Sequence, residues 1–172
     1  MTKSKDRIRL NKLQREAEGY LDLGLPALAL RSLERLGDPD QFGPTTLYLW
    51  GEALRAAERY SEAIPALERA GEAETENVHV WLALGWCYKR VGRLDRAIEA
   101  IERALSADPK DAMLHYNLAC YLSLARDKGK ALAHLSKALA IDPDYRSLID
   151  GESDFDPLRS DPDFQALLGI GV

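Results

Sequence analysis

The side chains that could carry out catalysis or hold a metal are few in this 172-residue chain. Its three histidines, His79, His115 and His134, share no HExxH or comparable ligand spacing, so no metal site or metal-based hydrolysis is expected of them. The two cysteines, Cys87 and Cys120, form no CxxC pair and sit inside helical patterns. That argues against a disulfide framework and leaves neither thiol the charged neighbours that would make it reactive. No serine stands in a nucleophile elbow, and no glycine loop is built to cradle phosphate: Gly85, Gly92 and Gly129 fall at helix crossings and turns. No catalytic residue, metal or cofactor is therefore expected. The chemistry on offer is recognition. Trp86, Lys89 and Arg90 bring an aromatic and two cations together, and tryptophan and arginine are among the residues that dominate protein interfaces.

These three lie in the stretch from Val78 to Lys110 that organises the chain. Trp81, Leu84, Gly85 and Tyr88 fall on one stripe of a helix. After a break at Val91-Gly92-Arg93, Ala97, Ile101 and Ala104 form the stripe of a second helix, closed by Asp108-Pro109. Two amphipathic helices of this length cannot bury their apolar stripes alone, so neighbours of the same kind are required. Trp86 stands off the packed stripe and is either an interface residue or packing for the first helix of the following unit.

The neighbours appear at a fixed step of 34. Gly85 maps onto Gly51, Ala119 and Ala17; Ala97 onto Ala63, Ala131 and Ala29; Ile101 onto Leu67, Leu135 and Leu33. This helix-turn-helix period, with small residues at the crossings and a proline between units, resembles the tetratricopeptide repeat. Four units are expected at 10–43, 44–77, 78–111 and 112–145, after a basic extension at 1–9. A C-terminal cap is expected over 146–172, its motif resembling the closing tail of many bacterial members. The resemblance implies an all-α, right-handed superhelical solenoid.

Several departures inform the expected ends. Glu16 replaces the apolar residue of the first helix, as suits a terminal unit facing water. Pro65 is expected at the fourth residue of a helix capped by Ser61. Asp156-Pro157 and Asp161-Pro162 read as cap and first residue of short helices bearing Phe155, Leu158, Phe164, Leu167 and Leu168.

The resemblance also implies that first helices line a concave groove. On that basis Tyr48, Glu52, Arg55, His79, Trp86, Lys89, Arg90, Tyr116, Asn117 and Ser123 are the candidate contacts for a protein or peptide partner. Tyr48, Trp86 and Tyr116 would supply apolar anchoring, and Arg55, Lys89 and Arg90 would favour acidic groups. The family's clamp for chaperone carboxylates is missing: the matching columns hold Gln14, Glu18, Leu49, His79 and Ala83.

Composition sets the remaining bounds. An apolar content of 46%, a charged content of 30% and a net charge of -5 describe a globular chain with no general affinity for nucleic acid or anionic membrane. No run is long enough to span a bilayer. Free thiols fit a cytoplasmic setting. Residues 1–15 carry six basic groups and one acid, whereas residues 142–163 carry eight acids and two arginines. Opposite ends of this kind would favour a head-to-tail homo-oligomer, the alternative being that both ends are simply solvated.

Overall fold

The computed structural model describes residues 2–169. Eight helices form four antiparallel hairpins: α1 (Thr2–Asp22) with α2 (Pro26–Glu34), α3 (Pro44–Ala56) with α4 (Tyr60–Ala73), α5 (Val78–Arg90) with α6 (Leu94–Ala107), and α7 (Ala112–Leu124) with α8 (Lys128–Ile141). Each second helix packs on the first helix of the next hairpin, and α3 touches both α1 and α5. The result is a helical-repeat solenoid with no strand among the described residues. One buried cluster runs its length, from Ala17 and Leu33 through Leu67, Leu84 and Ile101 to Leu135. Helix α1 runs unbroken through residue 10, so the basic extension is helical and continuous with the first hairpin.

Close approach sets the crossing geometry. A Cβ placed on Gly51 would lie 2.5 Å from Leu67 Cγ, and one on Gly85 would lie 2.7 Å from Ile101 Cδ1. Ala17 and Ala119 occupy the same column in the outer hairpins and are wholly buried.

The turn between the two helices of a hairpin is the same in all four. Leu25, Arg59, Arg93 and Asp127 donate their backbone N–H to the carbonyls of Tyr20, Leu54, Tyr88 and Leu122, the long bond of a Schellman closure. That closure needs a left-handed residue just before the donor. Gly24 (φ 68°) and Gly92 (φ 78°) supply it without a steric cost, whereas Glu58 (φ 60°) and Arg126 (φ 63°) adopt it as side-chain-bearing residues.

Two local expectations are corrected. Helix α4 starts at Tyr60 after Arg59, which makes no side-chain cap, so Ser61 lies inside it and Pro65 is its sixth residue. Pro65 and Ser61 are both exposed, so the carbonyl that the proline leaves without a donor faces water. Asp161 does cap α10 (Pro162–Leu167), but Asp156-Pro157 falls within a 3₁₀ turn (Ser153–Leu158) whose cap is Glu152.

The last hairpin is followed by a 3₁₀ turn (Pro143–Tyr145), α9 (Arg146–Ile149), the Ser153–Leu158 turn and α10. Ile149, Phe155, Leu158 and Phe164 are buried. The Ser153–Leu158 turn packs on α7, and α10 packs on α8. Helix α7 is consequently covered on both sides, with ten of its thirteen residues buried.

The turn and crossing columns make opposite predictions. Glu58→Gly and Arg126→Gly should each raise the unfolding free energy by up to about 1 kcal/mol, seen as a higher urea midpoint, by removing left-handed strain. Gly51→Ala should lower stability by about 1–3 kcal/mol, because Leu67 is met at its branch point.

Candidate protein-binding groove

Seven of the ten candidate residues surround one depression of about 480 Å³ on the face formed by α3, α5 and α7. Helix α3 contributes Tyr48, Glu52 and Arg55; α5 contributes His79 and Trp86; α7 contributes Tyr116 and Asn117. Tyr48, Glu52 and Arg55 are spaced by four and three residues and His79 and Trp86 by seven, so each set lies on one face of its helix, while Tyr116 and Asn117 are neighbours on α7. Leu82, Ala83, Met113 and Tyr121 complete the lining, and Tyr145 and Leu148 close one end. Trp86 is 40% exposed, and Met113 and Leu148 are exposed as well.

The charged pair in the depression neutralises itself. Arg55 donates to both carboxylate oxygens of Glu52, at 2.7 and 2.9 Å. This bidentate bond holds the guanidinium more firmly protonated than usual. Burial, followed by the nearby Glu52 charge, pushes the Tyr48 phenol up to about 12. Burial likewise raises the Cys87 thiol to about 12 and the Cys120 thiol further, so both are held as neutral thiols.

Three candidates lie elsewhere. Lys89 does not face the depression: its ammonium pairs with the Asp154 carboxylate of the cap. Arg90 stacks its guanidinium 5.0 Å over the Tyr60 ring, next to the start of α4. Ser123 is fully buried. The fourth unit has no fifth first helix beside it, and the cap folds over the inner side of α7 instead. The same covering leaves Tyr116 6% exposed, its ring 5.0 Å from Tyr145 and 5.6 Å from Phe155. Tyr116 is therefore part of the groove's wall more than an open anchor. The expected preference for acidic groups loses its basis, since Arg55 and Lys89 are paired and Arg90 lies outside.

Sequence reasoning places Tyr145 at the end of the fourth unit and Leu148 in the cap, and neither among the groove residues. The signal available for them is that Tyr145 to Asp150 reads as the start of another helix directly after the fourth unit. Half of the eight acids at residues 142–163 are ion-paired within the chain: Asp154 with Lys89, Asp156 with Arg159, and Asp161 and Asp163 with Lys128. That end offers less free negative charge than the sequence suggests.

The remaining titratable clusters lie outside the depression. Cys120, Glu152 and Asp154 bring potential ligand atoms within 4.8 Å of one another, but Lys89 already supplies the positive charge there. The sequence separates the histidines, yet His115 and His134 meet with Nδ1 atoms 2.9 Å apart. His115 Nε2 lies 3.0 Å from the Pro109 carbonyl, which only accepts, so that nitrogen carries the hydrogen. His115 Nδ1 must then accept from His134 Nδ1–H.

Two family models, each described as tetratricopeptide repeat, match residues 54–119 and 114–145. No curated protein matches the sequence. Among solved structures, MamA is 26% identical, with 80% of each chain covered and a TM-score of 0.71. YrrB, described as a TPR protein with an unusual peptide-binding site, is 25% identical over 78% of this chain and 70% of its own, with a TM-score of 0.69. MamA from Desulfovibrio magneticus RS-1, taken from position 41 to its end, covers 96% of this chain and 94% of its own at 20% identity and a TM-score of 0.71. At that identity it speaks for the fold alone. The chain belongs to the tetratricopeptide repeat family, and its repeats make it a protein-interaction module. No helix among the described residues is long and apolar enough to cross a membrane.

The histidine pair gives a pH prediction. Burial, then the neighbouring His115, Lys137 and Lys130, lower the His134 pKa, so the folded state prefers the neutral ring. The unfolded chain binds the proton more readily, so this stability is full above the ordinary histidine value of about 6.5 and is lost as pH falls below it. The urea midpoint of the wild type should fall from pH about 7.5 to about 5.5, and His134→Gln should flatten that slope. Equal slopes in the two proteins would refute the assignment.

Proposed function

We propose that the protein is a non-catalytic adaptor that holds a segment of a partner protein in the depression between α3, α5, α7 and the cap. The occupant best suited to it is a stretch bearing aliphatic or aromatic side chains and no net charge. The carrying observation is the combination of a 40% exposed Trp86 with an acid-base pair, Glu52 and Arg55, that satisfies itself inside the groove. A large aromatic left open beside Leu82, Met113, Tyr145 and Leu148 gains from covering. A charged occupant would have to break a bidentate ion pair or be buried without a partner. The likeness to YrrB, described as having a peptide-binding site, supports the same reading. The two buried free thiols suit a reducing compartment, and we place the protein in the cytoplasm on that chemistry. The self-assembling alternative draws less support, because the acidic end spends half its carboxylates internally.

Short immobilised peptides test the reading, with uncharged Leu- and Phe-bearing sequences compared against versions carrying added Asp or Lys. The uncharged set should bind best, and Trp86→Ala should lose on the order of tenfold in affinity. Glu52→Gln should shift preference toward the Asp set by about two- to fivefold, and Arg55→Gln toward the Lys set by a similar factor. Unchanged binding in Trp86→Ala would remove the groove assignment.

A further inference from the structure

The segment after α8 closes the last hairpin and also ends the groove. It is braced as one piece. Arg159 donates to the carbonyls of Ile149, Asp150 and Glu152 at 3.2, 3.0 and 2.9 Å. Arg146 donates to the Leu168 carbonyl at 2.5 Å. Displacing any part of such a unit carries Tyr145 and Leu148 with it.

Its ionic attachments to the repeats are unequal. On the outer side Lys128, whose side chain is 42% exposed, lies between Asp161 and Asp163 at 2.7 and 2.8 Å. On the inner side Lys89 meets Asp154, and these side chains are only 21% and 8% exposed. Exposed pairs contribute little, whereas removing one partner of a buried pair strands a charge. The inner attachment is therefore the one that matters. The Lys89 ammonium also sits 5.7 Å from the ring centres of both Trp86 and Tyr121, which line the groove. One side chain thus touches the groove's tryptophan and the unit that carries its end wall.

We propose that Lys89 is a positioning residue. By pairing with Asp154 it sets where Tyr145 and Leu148 stand relative to Trp86, and so fixes the length of groove open to a partner segment without contacting that segment. The proposal rests on the groove reading above, and its first test needs no ligand.

Amide hydrogen exchange on the unliganded protein reads the position of the cap directly. In Lys89→Met the amides of residues 145–152 should exchange on the order of tenfold faster, while those of α3 and α7 keep wild-type rates. Lys89→Arg should stay close to wild type, and Asp154→Asn should reproduce the Met variant, which guards against a folding defect peculiar to one substitution. The peptide panel then tests the consequence. Lys89→Met should lose on the order of tenfold on the uncharged peptides that bind the wild type, and Lys89→Arg should retain them. Wild-type exchange over 145–152 in both Lys89→Met and Asp154→Asn overturns the proposal, as does acceleration spread equally through α7, which would mark general loosening. Faster cap exchange with unchanged peptide binding overturns it too. Failure of the groove reading is separate, since it shows as unchanged peptide binding in Trp86→Ala whatever the exchange data.

Discussion

The structure depends on how closely the two helices of a hairpin approach. At Gly51 and Gly85 there is no room for a methyl group, because Leu67 and Ile101 already fill the space against the first helix's backbone. Once that distance is fixed, the apolar stripe of each second helix reaches the first helix of the next unit, and the buried cluster becomes continuous. Neither half of a hairpin could bury its stripe alone, so local contact and long-range order are one constraint. The first helices are then aligned side by side, and the residues that packing leaves free on α3, α5 and α7 converge on one surface.

That surface is only partly legible in the sequence, and the reason is physical. Each of Tyr48, Glu52, Arg55, His79, Trp86 and Asn117 lies on a first helix at a position set by the 34-residue period, so counting is enough to bring them together. Lys89 satisfies the same count but meets Asp154, 65 residues away and outside the periodic part of the chain. Ser123 fails for a related cause: Arg55, two units earlier in its column, lines the groove, whereas the cap covers the column at the end of the array. The His115 and His134 contact is invisible in the sequence because the two residues lie on different helices of one hairpin and follow neither a repeat step nor a ligand motif.

The fold is more legible than the site because periodicity reports what recurs. Small residues at crossings and the four Schellman closures recur, and all keep register with the 34-residue step. Backbone strain at Glu58 and Arg126 is not legible, since neither residue type announces a left-handed conformation. The alternation of glycine and non-glycine turns leaves the first and third hairpins relaxed and the second and fourth strained. The cap is braced by two arginines bonded to backbone carbonyls, an arrangement with no period, so the sequence shows that a cap is present but not how it is held.

The pairing of Lys89 with Asp154 passes over the whole of α7, and this bears on how such an array can grow. Repeat proteins lengthen when the segment encoding one hairpin is copied in tandem. A copy of the third hairpin would carry its own lysine and leave one correctly spaced from the cap. A copy of the fourth would bring Ser123, in the column that Lys89 occupies one unit earlier, to the place facing Asp154, and the carboxylate would be buried without a cation. Duplicating the penultimate unit therefore keeps the pair and duplicating the last one breaks it, so the end of this solenoid is matched to its neighbour as well as to the hairpin it covers.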